Sequence, residues 1–163
     1  MKLFSKQDII DYYDQTEVHY RRAWDLEGSR ALHYGFYRTD TRRFRDSLRV
    51  MNEELASFAA IQPGEVVLDA GCGVGGSAVF LAEHYGCRTV GVSLVSRQVE
   101  QAKAYARERS VAHLATFSQA DYMQTPFPDE HFDVIWALES MVHASDKQLF
   151  LAEMYRLLKK GGR

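Results

Sequence analysis

The stretch Val66-Val67-Leu68-Asp69-Ala70-Gly71-Cys72-Gly73-Val74-Gly75-Gly76-Ser77 reads as a strand, a turn and the opening of a helix. Val66, Val67 and Leu68 form an apolar, β-branched run that closes on an acid. Four glycines follow, and Ala78-Val79-Phe80-Leu81-Ala82 carries the chain on as a helix. Glycine turns a backbone through positive φ and lets a ligand touch main chain where a Cβ would collide. The acid is the deciding detail: Asp69 suits a ligand that brings an ammonium group or hydroxyls, not one led by phosphates.

Three ligand readings compete for this turn. A P-loop needs a Lys-Ser/Thr pair after the glycines, and none is there. Gly71, Gly73 and Gly76 do satisfy the G-x-G-x-x-G spacing of a dinucleotide fold. Asp69, two residues before the first glycine, would meet a pyrophosphate with like charge. A glycine-rich strand–helix turn without a ligand is the third reading.

Outward from this motif the chain alternates strand and helix. Helix 76–85 closes at Gly86. Strand 88–93 leads to helix 97–109, and a third strand lies near 114–119. A fourth strand covers Phe132 to Leu138. The last helix, about 146–158, opens on Ser145-x-x-Gln148 as a capping box, with Phe150, Leu151, Met154, Leu157 and Leu158 on its apolar face. Such alternation predicts parallel strands joined by right-handed crossovers. On the N-terminal side, residues 5–24 read as a helix striped by Ile9, Tyr12, Tyr13 and Val18, broken at Gly28-Ser29. A helix from about Thr41 to Ala60, with Asp40 as N-cap, presents Phe44, Leu48, Met51, Leu55 and Phe58 on one side.

The 163 residues suffice for one core, and 46% apolar with 26% charged residues is ordinary globular composition. A formal charge of −2 points to no nucleic-acid partner, and Arg42, Arg43, Arg45 and Arg49 read as a solvated helix face. No apolar run reaches membrane-spanning length. Cys72 and Cys87 suggest no disulfide framework, which fits a cytoplasmic protein. The six histidines show no metal-site spacing.

LDAGCGVGG resembles the first motif of the class I S-adenosylmethionine-dependent methyltransferases, an acid followed by GxGxG. The likeness covers residues 60–163 strongly and the N-terminal third more loosely. The resemblance implies a Rossmann-like doubly wound parallel sheet in order 3-2-1-4. It assigns 61–163 to the cofactor-binding domain and 1–60 to a helical lid over the substrate. It also implies that strands five to seven are missing after Gly161-Gly162, so that the far edge of strand four is open to a second chain or a domain swap.

The resemblance assigns roles residue by residue. Asp69 lies near the amino-acid end of S-adenosylmethionine, and Gly71 and Gly73 let main chain approach it. Strand two departs from the usual pattern, since Ser93 stands where an acid normally holds the ribose. Gly91-Val92-Ser93-Leu94-Val95-Ser96-Arg97-Gln98 is instead similar to tocopherol, geranyl-diphosphate and cyclopropane-fatty-acid methyltransferases, in which Ser93 and Gln98 would share the ribose. Asp121 would accept from the adenine amino group, Tyr122 would pack on the adenine, and Ala137 and Leu138 would end strand four beneath the sulfonium.

The run Glu139-Ser140-Met141-Val142-His143-Ala144-Ser145-Asp146-Lys147 resembles the tocopherol methyltransferase pattern of ES, a later H and DK. Either Glu139 or His143 is then the candidate for taking a proton from the acceptor. His33-Tyr34-Gly35-Phe36-Tyr37 resembles the HYGY segment of the same relatives, where a tyrosine reaches the methionine carboxylate. Tyr34 is the candidate here, with Tyr20 and Trp24 as wall residues. The expected reaction is methyl transfer to a small, partly apolar acceptor, carbon slightly ahead of oxygen or nitrogen, with S-adenosylhomocysteine as product. A cofactor-binding piece without turnover and a nicotinamide-dependent oxidoreductase domain are the alternatives.

Overall fold

A computed structural model describes residues 5–163. Four strands, β1 (Val66–Ala70), β2 (Arg88–Ser93), β3 (Ala115–Gln119) and β4 (Val134–Trp136), form an all-parallel sheet in the order β3-β2-β1-β4. Asp69 pairs in register with Gly91 of β2 and Trp136 of β4, so the acid sits at the carboxyl end of the central strand. The expected doubly wound order is present.

Period-two alternation splits each strand between two faces. Leu68, Ala70 and Val92 pack with Phe150, Met154 and Leu157 of α6 (Lys147–Leu157). On the opposite face lie α3 (Phe44–Phe58), α4 (Gly76–Tyr85) and α5 (Ser96–Glu108). Val67, Leu81, Cys87 and Trp136 join α3 there, and Val79 of α4 meets Val99 and Ala102 of α5. Burying each such side chain contributes about 1.5–3 kcal/mol.

The boundaries of α4 and β2 match the sequence reading to the residue; those of α3 do not. This helix begins at Phe44, so Arg43 and not Asp40 holds the cap position, without a side-chain cap. Its buried face carries Ser47, Leu48, Val50, Asn52 and Ala56, while Phe58 stands 91% exposed. The helix is turned toward α4 by a buried polar contact, Ser77 Oγ donating to Asn52 Oδ1 at 2.8 Å. At α6 the cap is Asp146, which accepts from Gln148 N and Leu149 N, so the Ser145 box does not form.

β4 is shorter than its apolar run. Asp133 takes Val66 N with its carboxylate, and Phe132 turns aside to bridge Leu158. Its far edge is not bare. Lys159 N bonds Phe132 O, Arg163 N bonds Asp133 O, and Ile135 N bonds Arg163 O, so residues 158–163 run along it. The open apolar edge expected for a second chain is covered in part by the protein's own backbone.

The N-terminal third crosses the carboxyl ends of the strands. α1 (Lys6–Ala23) opens on a capping box between Ser5 and Asp8 and ends at Trp24, ahead of Gly28-Ser29. A short turn of helix, α2 (Leu26–Ser29), follows. No residue of α1 is buried. Side-chain contacts hold it down: Arg97 with Asp14 at 3.0 Å and Glu17 at 2.5 Å, and Lys6 with Asp121 at 2.7 Å. No helix among the described residues is long and apolar enough to cross a membrane.

Candidate active site

The glycine turn is tied to the end of β2: Gly71 N and Cys72 N both donate to Val92 O, at 3.0 and 2.9 Å. Gly71 has φ +98, and a Cβ there would stand 2.4 Å from Ser140 Cβ. Gly73 has φ +52, and its Cβ would meet Leu32 Cδ1 at 2.9 Å. Both positions therefore need glycine for conformation and for room. Ser140 in turn donates to Ala70 O, which closes the loop after β4 against β1.

In front of the turn lies a cavity of about 80 Å³, open at its mouth. Asp69, Gly71, Gly73, Ser93, Gln98 and Tyr122 line it together. Glu139 and His143 line it as well. Three expected residues lie elsewhere. Of the pair that ends strand four, Leu138 lines the cavity and Ala137 does not. Asp121 has one oxygen on Met123 N and the other on Lys6. Tyr34 is 64% exposed and lines a neighbouring cavity.

Asp69 is 4% exposed and its Oδ2 has no hydrogen-bond partner among the described residues. Burial pushes its carboxyl up to about 7, against a smaller opposing pull from the Ala78 backbone N–H. A buried carboxylate without a partner is costly, and a cationic or hydrogen-donating ligand relieves that cost. Ser93 Oγ donates to Gln98 Oε1 at 2.8 Å and accepts from Val95 N at 3.2 Å. Gln98 keeps its amide NH2 as a donor, with both side chains nearly buried. Tyr122 bonds Ser140 O at 3.1 Å and meets Phe150 edge-on at 5.0 Å, so it serves the core and the cavity wall together.

A second cavity of about 570 Å³ adjoins the first beneath α1. Tyr12, Tyr13, Tyr20, Trp24 and Tyr34 give it a wall of rings, linked edge to face from Tyr12 to Tyr13 at 5.2 Å and from Tyr20 to Trp24 at 5.8 Å. Tyr13, Leu32, Glu139 and His143 border both cavities. Glu139 holds a left-handed backbone, φ +55, and its Oε1 accepts from Tyr34 N. Such conformations concentrate at functional sites. His143 is held below the usual histidine range by burial and then by the Lys147 charge.

Three residues escaped the sequence reading. Tyr13 bonds His143. Arg30 and His33 line the first cavity, and Arg30 Nε and His33 Nε2 are buried without partners among the described residues. No spacing rule connects these positions to residues 100 places away. His33 lay inside the HYGFY segment and was the signal available.

The model of a methyltransferase domain matches residues 68–163. The chain is 33% identical to the chloroplastic tocopherol O-methyltransferase of Arabidopsis thaliana, over 97% of this chain and 48% of that protein. It is 35% identical to the sterol 24-C-methyltransferase of Schizosaccharomyces pombe, over 96% and 40%. The chain thus spans about half the length of the curated relatives it matches. Among solved structures it superposes on the geranyl diphosphate C-methyltransferase of Streptomyces coelicolor, in complex with Mg2+, geranyl diphosphate and S-adenosyl-L-homocysteine. That match has TM-score 0.82 and 25% identity, over 96% of this chain and 62% of the other. It also superposes on the [4+2]-cyclase SpnF with TM-score 0.88 and 28% identity, over 98% and 58%. With a glycine turn, an orphaned acid and a parallel sheet in the order 3-2-1-4, the chain belongs to the class I methyltransferase family.

Proposed function

We propose that this chain binds S-adenosylmethionine in the first cavity and directs its methyl group to a small, partly apolar acceptor in the second. The observation that carries this reading is the partnerless Oδ2 of Asp69 beside a turn that admits no Cβ. An ammonium group is the ligand that this carboxylate lacks. Ser93 and Gln98 offer an acceptor and a donor for ribose hydroxyls. Arg30 Nε supplies a donor for a ligand carboxylate, and the Tyr34 backbone, latched to Glu139, shapes the entrance. Tyr122 offers a ring face to adenine; Asp121 reaches it on release of Lys6.

When bound, the cofactor supplies a methyl group on positive sulfur. The residues around it align the acceptor and exclude water. Residues 1–60 act as the cover and 61–163 as the cofactor-binding domain. The aromatic wall suits an apolar acceptor, and its ring faces stabilise positive charge developing on carbon. For that reason carbon is the favoured acceptor atom. Glu139 and His143 stand at the seam where a proton must leave. Two buried, unpaired cysteines suit a reducing compartment, and we place the protein in the cytoplasm.

SpnF shows that this fold also accompanies another chemistry, so the test must follow the methyl group itself. S-adenosylhomocysteine is expected to raise the melting temperature while NADH does not. Radiolabelled methyl transfer is then followed against a panel of a tocopherol, a sterol, geranyl diphosphate and sarcosine. Stabilisation by NADH instead would overturn the reading. Binding without transfer to any acceptor would leave the chain as a cofactor-binding piece.

A further inference from the structure

Tyr13 stands on the cover helix and His143 on the short 3-10 turn Met141–His143 after β4. Tyr13 Oη lies 3.0 Å from His143 Nε2, and the rings meet edge to face at 5.5 Å. Both residues border both cavities, so their contact lies where cofactor and acceptor would meet. The backbone of that turn is held independently. Lys147 Nζ donates to the carbonyls of Met141, Val142 and Ala144. What the tyrosine adds is therefore the setting of the imidazole ring, not anchorage of the loop.

The groups facing this pair are Tyr12 and Tyr20 on α1, Tyr122, Glu139 and Lys147. Burial and the Lys147 charge keep His143 neutral near pH 7, so one ring nitrogen carries a proton and the other a lone pair. Burial first, then Tyr12, Tyr122 and Glu139, push Tyr13 up to about 12, so it keeps its hydroxyl proton. That hydroxyl has no other acceptor among the described residues. It donates to Nε2, and the imidazole proton lies on Nδ1.

We infer that Tyr13 is the catalytic group that receives the acceptor's proton, with His143 as the base behind it. This rests on the methyl-transfer reading above. The acceptor's proton passes to Tyr13 Oη as the tyrosine's own proton passes to His143 Nε2. The acceptor's electron pair forms the new bond to the methyl carbon, and the pair of the broken carbon–sulfur bond stays on sulfur. One positive charge vanishes at sulfur and one appears on the imidazole, so charge and protons balance. For an alkene carbon the proton leaves from the neighbouring carbon after the new bond has formed.

The test begins with nitrogen-15 spectra of the imidazole, assigned with His143→Gln. The expected result is the Nδ1–H tautomer in the parent protein and a shift toward Nε2–H in Tyr13→Phe. The tautomer reports the direction of the hydrogen bond, and turnover separates a relay from a merely structural contact. With any acceptor of the panel that turns over, Tyr13→Phe is expected to lower kcat at least roughly tenfold, the low side of general acid–base catalysis. Its melting shift with S-adenosylhomocysteine stays as in the parent. An Nε2–H tautomer in the parent, or full turnover in Tyr13→Phe, overturns the relay. If S-adenosylhomocysteine leaves the parent's melting temperature unmoved, the cofactor reading itself fails. A normal cofactor response beside the wrong tautomer sinks the relay alone.

Discussion

Glu139 Oε1 accepts the backbone N–H of Tyr34 at 3.0 Å, so the loop after β4 grips the cover segment across 105 positions of sequence. Replacing Glu139 with Ala removes the grip and keeps a left-handed residue. Replacing it with Gly removes the grip and relieves about 1–2 kcal/mol of backbone strain. Both variants are expected to lose amide-exchange protection at Tyr34. The Gly variant is expected to melt above the Ala variant. Equal melting temperatures would show that the φ +55 conformation stores no strain.

Asp69 makes stability and binding depend on pH in opposite ways. Its folded-state carboxyl is raised to about 7 from a usual value near 3.8. The folded protein therefore holds a proton that the unfolded chain has released between those values. Ligand-free stability falls as pH rises from about 4 to 7, and the cost persists above 7. Asp69→Asn is expected to raise the melting temperature at pH 8 and to change it little at pH 4. An ammonium ligand wants the carboxylate, so affinity for S-adenosylhomocysteine should tighten from pH 6 to pH 8. Calorimetry in buffers of different ionisation enthalpy should detect proton release at pH 6. Asp69→Ala is expected to fold and to lose cofactor affinity.

Gly71→Ala sets a Cβ 2.4 Å from Ser140 Cβ, in a backbone of φ +98. A loss of at least about 2 kcal/mol is expected from chemical denaturation. Adding Ser140→Gly removes the collision and leaves the strain, so part of the stability should return. Ser140→Ala in the same background should return less, because its Cβ remains.

Ser93 and Gln98 act as a pair, joined at 2.8 Å. Ser93→Ala and Gln98→Ala are each expected to weaken S-adenosylhomocysteine binding about tenfold, or 1.4 kcal/mol. The double variant should lose less than the sum of the two, since the partners share one contact. Strict additivity in titration calorimetry would place the two residues in separate roles.

Much of this site is legible in the chain because its parts are local. The β-branched run before Asp69, the glycines after it and Gly86 as a terminator mark β1 and α4 without help from distant residues. The buried face of α3 was not legible, because Ser47 and Asn52 are polar and their burial depends on contacts such as Ser77. The cap of α6 fell between two adjacent good cappers, Ser145 and Asp146, and tertiary placement chose the second. Ser93 and Gln98 stood out through resemblance alone, since a serine ending a strand has no distinctive chemistry. Tyr13 could not be found by pattern, since its partner comes 130 positions later.

The first helix has no fully buried residue, and ion pairs such as Arg97 with Asp14 and Glu17 fasten it over the strand ends. The exposed member, Arg97 with Asp14, weakens as dissolved electrolyte shortens the Debye length from about 10 Å at 0.1 M toward about 3 Å at 1 M. Added salt is therefore expected to loosen this first helix before the sheet below it, read as faster amide exchange along residues 6–23 at about 1 M than at about 0.1 M.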